Sequence, residues 1–320
     1  MFTARMPNLR RFELCSDRTD WPISSIEEHI ARWMSSLTQL VSYSCADHFT
    51  TPCIMEALSK LPLLQKIEFN RIGNDYGEDM DTRTFRPSIG PGAFAALSTL
   101  EFCAKLDDAI SFLRKDFAPG LTSVSVHTPK LETAEALKGF LFGLSEARPS
   151  LKRLRLDSVH PTRRPLTDEN KHETDRVVLE TLEPVRALRE LVELRISYHR
   201  QFQLSRQDLW KLLNGWCNLE TLCLCSDPIL SETAKLGPSA LLVIALCCPR
   251  LRHLSLYVRY AQFRANNQPI WFQSLESIKF GTSSITDENV SKFASFLSNI
   301  LPPTCKVDSL CGTDWLRPRV

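Results

Sequence analysis

Residues 191–196 read LVELRI, residues 219–224 read LETLCL and residues 251–256 read LRHLSL. Each is apolar-x-x-apolar-x-apolar. The last three positions alternate apolar, polar, apolar, the pattern of a short strand with one buried face. Working outward, the hexamer recurs as LKRLRL from Leu151, LTSVSV from Leu121, LSTLEF from Leu97, LQKIEF from Leu64, LVSYSC from Leu40 and LRRFEL from Leu9, and again as LESIKF from Leu275. Leucine is common, so one hexamer means little. Ten of them mark an internal repeat, irregular in spacing but about 30 residues long on average. Such a strand cannot bury its apolar side alone; stacked on copies of itself, it builds one continuous core.

The segments between hexamers read as helices. Thr133 to Leu144 places Ala136, Leu137, Phe140, Leu141 and Leu144 at helical spacing. Asp175 to Leu191 does the same with Val178, Leu179, Leu182, Val185 and Leu188. Ser205 is an N-cap candidate for a helix through Leu209, Leu212 and Leu213. Gly237-Pro238-Ser239 opens an apolar helix from Ala240 to Cys248. Thr286 to Asn289 starts a last one through Val290, Phe293, Phe296, Leu297 and Ile300, which Pro302-Pro303 stops. Pro or Asn precedes several repeat leucines, as in Pro149-Ser150-Leu151 and Pro249-Arg250-Leu251, so helix, stop and strand are written locally. The expected fold is α/β: a solenoid, or horseshoe, with a parallel sheet on the concave face and helices on the convex one. Residues 1–301 form the solenoid, about ten irregular repeats, and 302–320 a C-terminal tail.

Composition narrows the function classes. The chain has 320 residues, 39 Lys+Arg against 37 Asp+Glu and a net charge of +2. That balance gives no reason to expect nucleic acid or a membrane surface as partner. No apolar run approaches the roughly 20 residues of a membrane helix. Met1 to Arg11 has no apolar signal region, and the 11 Cys are an odd number spread along the chain. Reduced thiols packed as small apolar residues are expected, in the cytoplasm or nucleus.

The quoted array resembles the leucine-rich-repeat portion of F-box/leucine-rich-repeat proteins, especially their large, divergent fungal group. The resemblance is clearest from Leu179 to Val258, over LETLEPVRALRELVELRI, LSRQDLWKLLNGWCNLETLCL and LGPSALLVIALCCPRLRHLSL, and extends to LEFCAKLDDAISFLRKDFAPGLTSVSV from Leu100. It implies the substrate-binding part of an SCF-type ubiquitin ligase receptor, non-enzymatic, with protein targets as partners. An F-box, which in that family binds a Skp-type adaptor and through it a cullin, is not found in this sequence. Those two partners are expected only if an F-box lies upstream. The alternative is a leucine-rich-repeat scaffold or GTPase-regulating interaction protein with no ligase connection.

Other chemistry finds no motif. There is no P-loop, GxGxxG, HExxH, CxxC or GxSxG. The seven His, His29, His48, His127, His160, His172, His199 and His253, are scattered and read as solvent-facing. Cys223, Cys225, Cys247 and Cys248 read as packing residues rather than a zinc site. No catalytic residue, cofactor or metal is expected.

The candidate site is a surface. If the hexamers are strands, their second, third and fifth positions face solvent on the concave sheet. Arg10, Arg11, Lys66, Lys152, Arg153, Arg155, Arg195, Arg252, His253 and Lys279 stand there, against Glu13, Glu68, Glu101, Glu193, Glu220 and Glu276. Lys152, Arg153 and Arg155 sit together, with Arg195 expected one strand away. Such a strip suits an acidic or phosphorylated peptide, or serves only as a solvated face. Three irregular stretches, Asn70 to Pro91, Asp157 to Thr174 and Tyr257 to Gln268, are expected as rim loops.

Overall fold

The computed structural model describes Met6 and residues 8–14, 23–46, 49–69, 85–129, 131–158, 176–225, 235–259, 270–281, 283 and 287–308. Most of the three expected rim loops lie outside these residues, as do His48, His160 and His172.

Among the described residues, eleven strands form one open, all-parallel sheet in chain order. They are β1 Arg11–Leu14, β2 Ser42–Cys45, β3 Lys66–Phe69, β4 Thr99–Cys103, β5 Ser123–Thr128, β6 Arg153–Ser158, β7 Glu193–Ser197, β8 Thr221–Leu224, β9 His253–Leu256, β10 Ser277–Lys279 and β11 Lys306–Asp308. The first ten start at the third residue of the ten hexamers and run at most two residues past them, and all keep the same phase. The eleventh lies within the stretch 302–320 expected as a C-terminal tail. It pairs with β10 through Ile278 and Val307. Its short stretch, Cys305 to Asp308, lacks the leading leucine that marks the others.

Among the described residues, eight α-helices lie in the connections: α1 Glu27–Met34, α2 Pro52–Leu58, α3 Leu106–Leu113, α4 Ala134–Ala147, α5 Leu179–Leu182, α6 Arg206–Leu213, α7 Ser239–Cys247 and α8 Asp287–Ile300. Their caps are local. Thr51 accepts from Ile54 N at 3.3 Å and Thr133 from Ala136 N at 3.1 Å. Ser205 and Asp208 cap each other reciprocally, with Asp208 N to Ser205 Oγ at 3.2 Å and Ser205 N to Asp208 Oδ2 at 2.9 Å. The helix expected over 175–191 is much shorter. One turn of α5 gives way to a 3-10 helix, Glu183–Ala187. Pro184 at its start supplies no N–H donor to a regular helix.

Two backbone devices repeat through the sheet. The N–H of the leading leucine bonds the carbonyl three residues back at Leu9, Leu40, Leu97, Leu121, Leu151, Leu191, Leu219 and Leu251. This turn swings the chain out of each connection into its strand. The carbonyl of the second hexamer residue then accepts two N–H groups from the next hexamer. Arg10 O takes Val41 N and Ser42 N, Lys152 O takes Val192 N and Glu193 N, and Glu220 O takes Arg252 N and His253 N. Every strand is therefore entered at the same height, which fixes the register.

Parallel strands in chain order need crossovers that all step one way, and right-handed crossovers put the connections on one face. That face is the core. Leu154, Leu156, Leu194, Ile196, Leu222, Leu224, Leu254 and Leu256 of the central strands are buried with Leu137, Phe140, Leu209, Leu213, Leu241 and Ile244 of the helices. The helices also pack on one another, α3 on α4 and α6 on α7. The opposite face of the sheet carries the hexamers' polar residues.

Candidate functional site

Register lays the polar face out in rows. One row runs Lys66, Thr99, Ser123, Arg153, Glu193, Thr221, His253, Ser277, Lys306. The next runs Glu101, Ser125, Arg155, Arg195, Cys223, Ser255, Lys279, Asp308. A third holds Cys103, His127, Asp157 and Ser197. Adjacent strands stand about 4.8 Å apart, so row neighbours touch.

The expected solvent exposure holds for most of the basic residues, Lys152 and Arg153 of the central β6 among them, and fails at the small residues and two glutamates of the middle strands. Arg11, Lys66, His253 and Lys279 are exposed, whereas Glu101, Ser123, Ser125, Glu193, Thr221 and Cys223 are buried. The small residues sit between longer row neighbours, and the two glutamates are held in by donors. Glu101 Oε2 accepts from Phe69 N at 2.9 Å, and its Oε1 lies 2.7 Å from His127 Nε2. His127 Nδ1 is 3.9 Å from Asp157 Oδ2. The expectation that scattered histidines face solvent is thus overturned at His127 and His199, each only 3% exposed. Neither carries a sequence signal beyond its hexamer: His127 directly follows the one from Leu121 and inherits a place on the sheet.

Glu193 organises the central basic residues. Arg155 Nε and Arg195 Nε each lie 2.6 Å from its Oε1, and Arg153 Nε lies 3.9 Å from its Oε2. Burial pushes the Glu193 carboxyl up, but hydrogen bonds and charge from Arg155 and Arg195 outweigh it and hold the group below the usual carboxylate range. Burial likewise lowers Arg155, and the hydrogen bond and charge of Glu193, with the charges of Glu101 and Asp157, raise it above its ordinary value. Lys152 is exposed on the same strand.

The other candidate positions do not join this cluster. Arg252 Nε donates to Glu276 Oε1 at 2.8 Å. His253 Nδ1 lies 2.9 Å from Ser277 Oγ, and Lys279 Nζ 3.5 Å from Asp308 Oδ2. Arg10 and Arg11 stand at β1 and Lys66 at β3, three or more strands from β6. The expected strip is one central guanidinium cluster with separate ion pairs toward β11.

The cysteines fit packing only in part. Cys45, Cys223, Cys225 and Cys248 are buried, Cys217 is exposed, and the nine described cysteines are all free thiols. Among the described residues no group of three or more His, Cys, Asp or Glu is placed to hold a metal ion. No described helix is long and apolar enough to cross a membrane. No family model matches the chain, and no curated protein matches it.

Proposed function

We propose that the chain is a leucine-rich-repeat solenoid acting as a non-enzymatic protein-recognition module, resembling the substrate-binding part of an SCF-type ubiquitin ligase receptor. The observation that supports this reading most is the continuous polar face. Eleven parallel strands in chain order present aligned rows of side chains over more than one repeat. A repeat stack buries one side of each unit and leaves the other as an extended binding surface. The mechanism is positional: the sheet holds a protein target while partners supply the chemistry.

Affinity purification of the tagged full chain, with cross-linking mass spectrometry, tests it. The reading expects protein partners cross-linked to residues of the sheet's polar face. Recovery of a Skp-type adaptor and a cullin favours the receptor form, while sheet-face partners without them favour the scaffold or GTPase-regulating form. Partners cross-linked only to the helices would refute recognition by the sheet.

A further inference from the structure

The β1 end of the sheet is built differently from its interior. The fourth residue of each hexamer faces the core, and on β2 to β10 it is at most 1% exposed. On β1 that residue is Phe12, which is only half-buried, as is Leu14 two places on. Phe12 lies edge-on to Trp33 at 4.7 Å and stacks on Tyr43 at 6.1 Å, so its ring is held from the β2 side and stays partly open on the other. Among the described residues, no strand lies outside β1.

The ladder fixes what this edge presents. In a parallel sheet the backbone groups of alternate residues point to opposite neighbours. Arg10 O accepts Val41 N and Ser42 N, so Arg10, Phe12 and Leu14 point toward β2. Arg11 and Glu13 therefore point their N–H and C=O groups outward, and their side chains are exposed on the polar face. The other end is blunter. Lys306 N bonds Glu276 O, and Asp308 O accepts from Phe280 N, so of β11 only Val307 points outward.

We propose that the edge of β1 pairs antiparallel with the same edge of a second copy of this chain, about a two-fold axis through Phe12. Charge selects that register among those that keep like faces together. Centring on Arg11 sets Arg11 against Arg11, and centring on Glu13 sets Glu13 against Glu13. Centring on Phe12 sets Arg11 of each copy against Glu13 of the other, opposite charges directly across the strands. It also makes these the hydrogen-bonded pairs, each exchanging both N–H···O bonds, and brings the two Phe12 rings to the closer non-hydrogen-bonded spacing. Glu13 has an interaction within its own chain, and a carboxylate accepts more than one donor. Head-to-tail growth meets the reverse situation. The rows that begin at Arg11 and Glu13 end at Lys306 and Asp308, so β11 docked in register on β1 sets like charge on like. The contact closes at two copies instead of running on as a filament. It is short, hence weak, and is expected at micromolar chain. The inference goes beyond the recognition reading and does not depend on it. The axis stands perpendicular to the sheet, so both polar faces turn the same way.

Sedimentation velocity of the full chain over a concentration series is expected to show monomer passing into dimer and no larger species. Arg11→Glu and Glu13→Arg each set like charges across the axis, and each is expected to weaken association about tenfold. Mixed in equal amounts, the two variants face each other with opposite charges again, so the mixture is expected to associate as well as the parent. Circular dichroism establishes that each variant is folded. The register is read with Arg11→Lys at a concentration where the parent is dimeric. A carbodiimide condenses the new amine with the Glu13 carboxylate into an amide and takes up the water as a urea. In a mixture of isotopically light and heavy chains, peptides joined light to heavy place that bond between copies. Monomer at every concentration, whether the edge stays open or another segment covers it, overturns the proposal. So do dimers indifferent to both charge reversals, a mixture that stays monomeric, or cross-links confined to one copy. Sheet-face partners captured by a chain that stays monomeric would leave recognition standing and remove only the dimer.

Discussion

Glu101 and His127 meet diagonally across β4 and β5: register places Ser125 opposite Glu101 and Cys103 opposite His127, yet Glu101 Oε1 lies 2.7 Å from His127 Nε2. The small Ser125 leaves room for the carboxylate to lean past it. His127→Ala removes a hydrogen-bond partner from a buried carboxylate, and such a loss costs about 1–3 kcal/mol. Urea titration of the variant should show that decrease. An unchanged midpoint would mean that solvent satisfies Glu101 at this depth.

Acid should weaken the sheet centre through Glu193. Its carboxyl is held below its ordinary value in the fold, so the folded state binds the proton less readily than the unfolded one. The sign follows: the contribution is fully present above the ordinary carboxylate range and is lost as pH falls through the lowered value. Denaturation midpoints of the parent and of Glu193→Gln should differ near neutral pH and converge on acidification. A gap that stays constant to low pH would contradict the assignment.

Two glycines of α4 should respond in opposite directions. A Cβ on Gly143 would come within 2.5 Å of Ile110 Cγ1 and 2.9 Å of Arg114 Nη2 on the packed face of α3. Ile110 is β-branched and stiff, so α3 and α4 must separate. Gly143→Ala is expected to cost about 1–3 kcal/mol. A Cβ on Gly139 meets nothing within 4 Å. Gly139→Ala is expected to stabilise by roughly 0.5–1 kcal/mol, because alanine loses less backbone entropy in a helix. Thermal melts of the two variants compare them directly.

Thiol labelling should divide two cysteines near one helix end. Burial, aided by the neighbouring Cys247 and Cys217 thiols, pushes Cys248 up to about 12. At pH 8 it carries little thiolate and is enclosed, while Cys217 is exposed. Iodoacetamide with peptide mapping should find Cys217 modified in the native protein and Cys248 only after denaturation. Modification of Cys248 at a comparable rate would show that α7 opens.

The strand array was legible because each hexamer carries its own instruction. A leading leucine, a period-2 alternation and a preceding stop specify strand, face and phase within about ten residues, and repetition removes the ambiguity of any single copy. Caps at Thr133 and Ser205 are equally local. The eleventh strand escaped because it is three residues long and lacks the leucine; only pairing with β10 makes Lys306–Asp308 a strand.

The sequence by itself determined that ten short segments would be strands, which of their residues would face the core, and that basic residues would gather on β6 and β7. Tertiary structure alone decided which charges cancel. Strand neighbours lie far apart in the chain, and register rather than sequence distance placed Arg155 and Arg195 on one oxygen of Glu193, joined Arg252 to Glu276, and buried His127 against Glu101. Ion pairing falls off over a few ångströms, so a one-residue slip would have redrawn every one of these contacts while leaving the composition untouched.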